Sequence, residues 1–175
     1  IVSPLISSDS DGYGAFPEKG KGIRRSELQE KSGKLLQEIK PSGHCCVDVA
    51  KGCALLINSE YFKKVGMFNE KFFLFWEEID LCRKFRKEKI SVILVPEIEV
   101  IHKEGTSSKN NITNFIIRNF NKEISPLLYF QVNKLNPNLF IKIIKYLFRM
   151  ISYLFILNFK NSMKNCLKLL ATLSY

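Results

Sequence analysis

Apolar positions along this chain come in short alternating runs over its first two thirds and in long helical stretches near its end, and these patterns predict the elements. Ile1-Val2-Ser3-Pro4-Leu5-Ile6 reads as a strand. Residues 7 to 43 are polar and glycine-rich; Arg24 to Lys40 is read as a surface helix that Gly33 weakens, within a variable loop or lid edge. Cys45 to Val49 and Cys53 to Ile57 are apolar runs around Gly52, the signature of strands or of chain lining a cleft where backbone approaches a ligand. Asn58-Ser59-Glu60 starts a short helix over Tyr61 to Val65, and Gly66 stops it. Ile98 to Ile101 is a strand interrupted by Glu99. From Leu139 to Phe155 the spacing predicts a helix with Lys142, Lys145, Arg149 and Ser152 on one face and apolar residues over the others.

The densest chemistry lies in Phe72-Phe73-Leu74-Phe75-Trp76-Glu77-Glu78-Ile79-Asp80-Leu81-Cys82, where three carboxylates follow an aromatic run. In a helix starting near Glu77, residues Glu78, Leu81, Cys82 and Phe85 share one face, so the Glu78 carboxylate extends an apolar stripe and points inward. Burial raises the pKa of such a carboxyl while the positive end of the helix dipole lowers it, and opposed effects of that kind tune a general base. Glu77 and Asp80 fall on a neighbouring face, where Asp80 reaches Lys84 at i+4. Acids in a first helical turn are also ordinary helix starts, and that reading stays open.

The flanks add ordered motifs. Val47-Asp48 is followed by Gly52 and Leu56-Ile57; then come Val65-Gly66-Met67-Phe68-Asn69-Glu70, the aromatic-acid segment, Val95-Pro96, and Val100-Ile101-His102-Lys103-Glu104-Gly105-Thr106-Ser107. Over residues 45 to 108 this order resembles the second half of family-two inverting glycosyltransferases, in particular the rhamnosyltransferase-like branch. The resemblance implies an α/β fold, the C-terminal half of a GT-A-like nucleotide-diphospho-sugar transferase domain. It implies a nucleotide-sugar donor, a glycan or lipid-linked acceptor, and Glu78 as the catalytic base. Asp48, Gly52, Trp76, Glu77 and Asp80 then fall among the acceptor- and donor-binding positions. His102 would contact a divalent metal, Mn or Mg, or the diphosphate, together with an Asp-x-Asp motif of the family's nucleotide-binding half. A lone histidine at a strand end is otherwise a surface or hydrogen-bonded residue, and Asp48 reads equally well as an aspartate satisfied by backbone amides.

Two positions depart from the family pattern: Glu78 stands where Asp is usual, moving the carboxylate out by one methylene, and Asn69 stands where Asp is frequent. The family's Asp-x-Asp half is expected ahead of Ile1, since the chain starts without Met on what resembles the strand after that motif. Asp9-Ser10-Asp11 has the same spacing but falls in the following loop, where Asp-Gly is turn chemistry and two carboxylates do not complete an oxygen site.

Composition refines this picture. With 175 residues, 46% of them hydrophobic, a real core is possible. Five cysteines, odd in number and without paired C-x-x-C spacing, predict buried thiols in a reducing compartment rather than a zinc site. The net charge of +10 sits largely on Lys and Arg beside aromatics. A basic amphipathic helix over 139 to 155 suits anionic headgroups, and placing Lys145 and Arg149 near a bilayer centre costs roughly 2.5 to 3.5 kcal/mol each, which favours lying in the interface over spanning. A basic face packing on the rest of the fold is the alternative. No nucleic-acid motif is present, so nucleic acid is not the expected partner. The organisation expected is therefore a partial glycosyltransferase domain over 1–125 and a helical, membrane-associating tail over 126–175. The enzyme is expected in the cytoplasm, peripheral at the cytoplasmic face of the membrane. A non-catalytic remnant that docks on a membrane or partner is the second reading.

Overall fold

A computed structural model describes residues 1–7, 15–16, 43–103, 111–135 and 137–175. The helix expected over Arg24 to Lys40 and the Asp9-Ser10-Asp11 turn lie outside the described residues, as does the Gly105 to Ser108 end of the histidine motif. The chain forms two compact units, Ile1–Asn69 with Glu77–Ser107, and Glu70–Trp76 with Ser108–Tyr175. The expected boundary at 125/126 falls inside a continuous helix of the second unit, because the helical pattern runs on through Leu127 and Tyr129, both buried, without a break.

In the first unit a three-stranded sheet has the order β1 (Val2–Ser7), β5 (Ile93–Ile101), β3 (Cys45–Cys46). β1 runs parallel to β5, and β3 antiparallel to it. The β1–β5 register slips between Pro4 and Leu5, which face Val95 and Glu99. Pro4 and Pro96 meet at this slip, and since neither has an N–H to give the ladder, three residues of β5 bulge out there. β5 is thus longer than the expected Ile98–Ile101 strand, because its first half, Ile93 to Val95, already pairs with β1. Two residues each of β2 (Ala15–Phe16) and β4 (Val49–Ala50) make a separate antiparallel pair. Helix α1 (Ser59–Lys64) is capped by the Asn58 side chain, which accepts from the Glu60 and Tyr61 N–H groups, and Gly66 follows at φ +82°.

Helix α2 (Glu77–Lys87) buries Leu81, Cys82 and Phe85 against Ala50 and Val92, the apolar face expected from its spacing. Of the five cysteines, all unbonded, only Cys82 is fully buried; Cys46 and Cys53 are exposed, because β3 and the turn at Gly52 lie at the surface.

The second unit is helical: α3 (Ile112–Val132), α4 (Leu139–Phe155) and α5 (Phe159–Leu173), each with an asparagine side chain, Asn111, Asn138 or Asn158, accepting at its N-terminus. Glu123 of α3 accepts from Tyr146 of α4 at 2.5 Å and pairs with Lys142. Lys142 and Tyr146 of α4 thus reach Glu123 of α3, while the Met150 carbonyl of α4 accepts from Ser162 of α5. The basic face, expected to meet headgroups or alternatively to pack on the fold, is in part turned inward, since Lys142 neutralises a buried carboxylate, while Phe140, Phe148 and Phe155 are 72%, 72% and 85% exposed.

Candidate active site

Phe75 and Trp76, the two residues before α2, both have left-handed backbone, at φ +67° and +74°. Aromatic residues pay for that conformation, on the order of 1–3 kcal/mol each, and such strain gathers where a structure over-determines a site. Within the second unit the Leu74 carbonyl accepts from Ser125 Oγ at 2.6 Å, and the Trp76 ring lies 5.1 Å from that of Tyr129. Trp76, expected among the ligand-binding residues, thus packs on α3.

Glu77 and Glu78 open α2, and one oxygen of each, Oε2, is buried with no hydrogen-bond partner among the described residues. Burial pushes the Glu78 carboxyl up to about 7, and the neighbouring Glu77 carboxylate adds to the rise. The backbone N–H groups of Glu78 and Ile79 and the Lys51 ammonium pull the other way, more weakly. Gly52 completes the wall: a Cβ there would stand 3.2 Å from Glu78 Cβ, 3.3 Å from Cγ and 3.5 Å from Cδ. Gly52, where the sequence suggests strands or a close approach of backbone to a ligand, lies instead against the Glu78 side chain. Nearby, Cys82 is no competing nucleophile, since burial pushes its thiol up to about 11.

The remaining positions are more structural. Asp80 is 1% exposed and pairs with Lys84 at 3.2 Å, as the i+4 spacing predicts, and the same ammonium donates to the Met67 carbonyl. Asp48 lies 3.6 Å from the Arg86 guanidinium, whose other arm donates to the Asp48 carbonyl; burial pushes the Asp48 carboxyl above its ordinary value. Arg86, on the same helix eight residues beyond Glu78, carries no motif that marks it in the sequence. His102 is half-buried just beyond β5, and His44 pairs with Glu97 at 3.2 Å at the surface. Among the described residues no three His, Cys, Asp or Glu side chains gather where they could hold a metal ion. One imidazole is a single ligand, and Mg²⁺ or Mn²⁺ asks for near-octahedral oxygen-rich coordination, so these residues do not by themselves make the expected metal site.

Comparison with known proteins supports a glycosyltransferase relationship for part of the chain. Over 58 residues it is 34% identical to the low-salt glycan biosynthesis hexosyltransferase Agl10 of Haloferax volcanii, a stretch that is 33% of this chain and 19% of that relative. No family model matches the chain. No solved structure matches it either.

Proposed function

We propose that this chain is the acceptor-side part of a GT-A-like, family-two inverting glycosyltransferase that moves a sugar from a nucleotide-sugar donor to a glycan or lipid-linked acceptor. The observation that carries the reading is the Glu78 carboxyl, walled by Gly52 and held near 7 at the start of α2. A base poised near the working pH is partly ionised and still a strong enough acceptor to take a hydroxyl proton. In the proposed step Glu78 takes the proton of the acceptor O–H as that oxygen forms its bond to the anomeric carbon. The bond from the anomeric carbon to the donor phosphate oxygen breaks, and the nucleoside diphosphate leaves with the electron pair. One displacement inverts the anomeric centre. The hexosyltransferase similarity and the ordered motifs around Glu78 support the class; the donor sugar is not specified by either.

The helical unit supplies the second element, attachment at the cytoplasmic face of a membrane. No helix among the described residues is long and apolar enough to cross a bilayer. α4 instead shows Phe140, Phe148 and Phe155 beside exposed Lys145 and Arg149, the composition of a helix lying in a headgroup layer.

The deciding experiment is Glu78→Gln in the full-length protein, with nucleotide-sugar turnover and donor binding measured side by side. Transfer is expected to fall by roughly 10² to 10⁴-fold with donor affinity unchanged. Turnover equal to the parent removes Glu78 from the chemistry.

A further inference from the structure

Between the N-terminal halves of α3 and α5, wholly inside the helical unit, lies a cleft of about 600 Å³ whose walls carry Arg118, Lys122, Lys160 and Lys164. Within each helix the two cations stand four residues apart, on one face, where like charges repel. Among the described residues none of the four has an ion-pair partner and no Asp or Glu lines the cleft; the Phe75 ring lies 6.0 Å from the Lys122 ammonium. Residues 108–175 carry ten Lys and Arg against the single acid Glu123, a net +9 of the chain's +10, and Glu123 is already bound to Lys142 and Tyr146. Arg118 and Lys164, half-buried, stand beside the exposed Lys122 and Lys160, and an anion bearing two or more charges can bridge such a group of cations.

The same cleft is lined by Phe115 and Met163, so its ligand meets an apolar wall beside the charges. Nucleotides and nucleic acid offer phosphate joined to polar sugar, whereas a phosphorylated lipid offers phosphate joined to hydrocarbon. We propose that the α3–α5 cleft is a binding site for the phosphomonoester or diphosphate headgroup of a lipid. The choice of a lipid as carrier rests on the membrane reading above; the phosphate site itself does not, and neither depends on Glu78. Crowding by cations extends beyond the cleft: Lys168 on α5, 5.7 Å over the Tyr146 ring, has its ammonium pKa lowered by burial, with Lys122, Lys145 and Arg149 adding to the fall.

The test uses the full chain and two probes, inorganic pyrophosphate and phosphatidylcholine vesicles carrying either phosphatidic acid, a phosphomonoester, or phosphatidylserine. The parent should bind pyrophosphate, prefer phosphatidic acid over phosphatidylserine vesicles by roughly tenfold, and release the former when pyrophosphate is added. Arg118→Gln with Lys164→Gln should remove pyrophosphate binding and the preference together. Lys134→Gln with Lys145→Gln, an equal loss of charge outside the cleft, should weaken both kinds of vesicle alike and keep the preference. Thermal melts of both double variants confirm that the surface changes leave the helices folded. Vesicle binding with no preference, or a preference that the cleft variant retains, overturns the cleft and leaves the membrane reading standing. Pyrophosphate binding without vesicle binding overturns the lipid as carrier, and so does cleft-dependent binding of duplex RNA that pyrophosphate displaces.

Discussion

The acids that open α2 and the acid of the helical unit are treated in opposite ways. In the first unit Glu77 and Glu78 each have a buried oxygen with no hydrogen-bond partner among the described residues, whereas in the second Glu123 is buried with a phenol and an ammonium on its two oxygens. A satisfied buried carboxylate is a structural brace; an unsatisfied one costs stability and persists where chemistry uses it. Cations show the reverse arrangement: Lys84 and Arg86 are spent on Asp80 and Asp48, while Arg118, Lys122, Lys160 and Lys164 have no acid opposite them among the described residues. Charge of each sign with no partner among the described residues therefore marks a candidate site, one for a proton and one for an anion.

Four measurements press on that contrast. Gly52→Val should have the largest effect, lowering transfer in the full-length protein by roughly a hundredfold, because the added atoms displace the Glu78 side chain; turnover within twofold of the parent would dissolve the link between the two residues. Glu78→Gln should raise stability above pH 7. The sign follows from proton counts: with its carboxyl at about 7 folded and 4.5 unfolded, the folded state holds more protons between those values, so stability falls as pH rises through that window. Removing the group should return up to about 3 kcal/mol above pH 7 and nothing below 4.5, read from denaturant midpoints at several pH values. Glu123→Gln should go the other way, costing about 1–3 kcal/mol by leaving Lys142 without its counter-charge, with the loss seen as early melting of the helices. If both variants shift stability in the same direction, the contrast fails. Asp48→Asn should be the mildest, about 1 kcal/mol or less, because its pair with Arg86 is partly exposed.

Local patterns carried much of the first unit. The period of Glu78, Leu81, Cys82 and Phe85 announced the buried face of α2, and Asn58 and Gly66 bracketed α1; the contact of Gly52 with Glu78 carries no mark in the sequence. Three further features were not legible because they depend on residues distant in sequence or on conformations without a compositional mark. Left-handed φ at an aromatic pair leaves no signature like that of Gly or Asn. The slip between β1 and β5 needs both prolines to be known as neighbours. The basic cleft joins positions some forty residues apart in sequence, and Lys142 looked like a surface cation until Glu123 was placed beside it. A helix face can be read from spacing; its partner cannot.

The strained turn at Phe75 and Trp76 has a practical side. Trp76 is the chain's single tryptophan; its indole lies 5.1 Å from Tyr129, and it immediately precedes Glu77 in the chain. Any ligand or substitution that relaxes the left-handed pair has to alter the surroundings of that ring. The helical unit thus carries its own fluorophore within that turn, and its emission spectrum gives an unlabelled optical record of whether the turn holds.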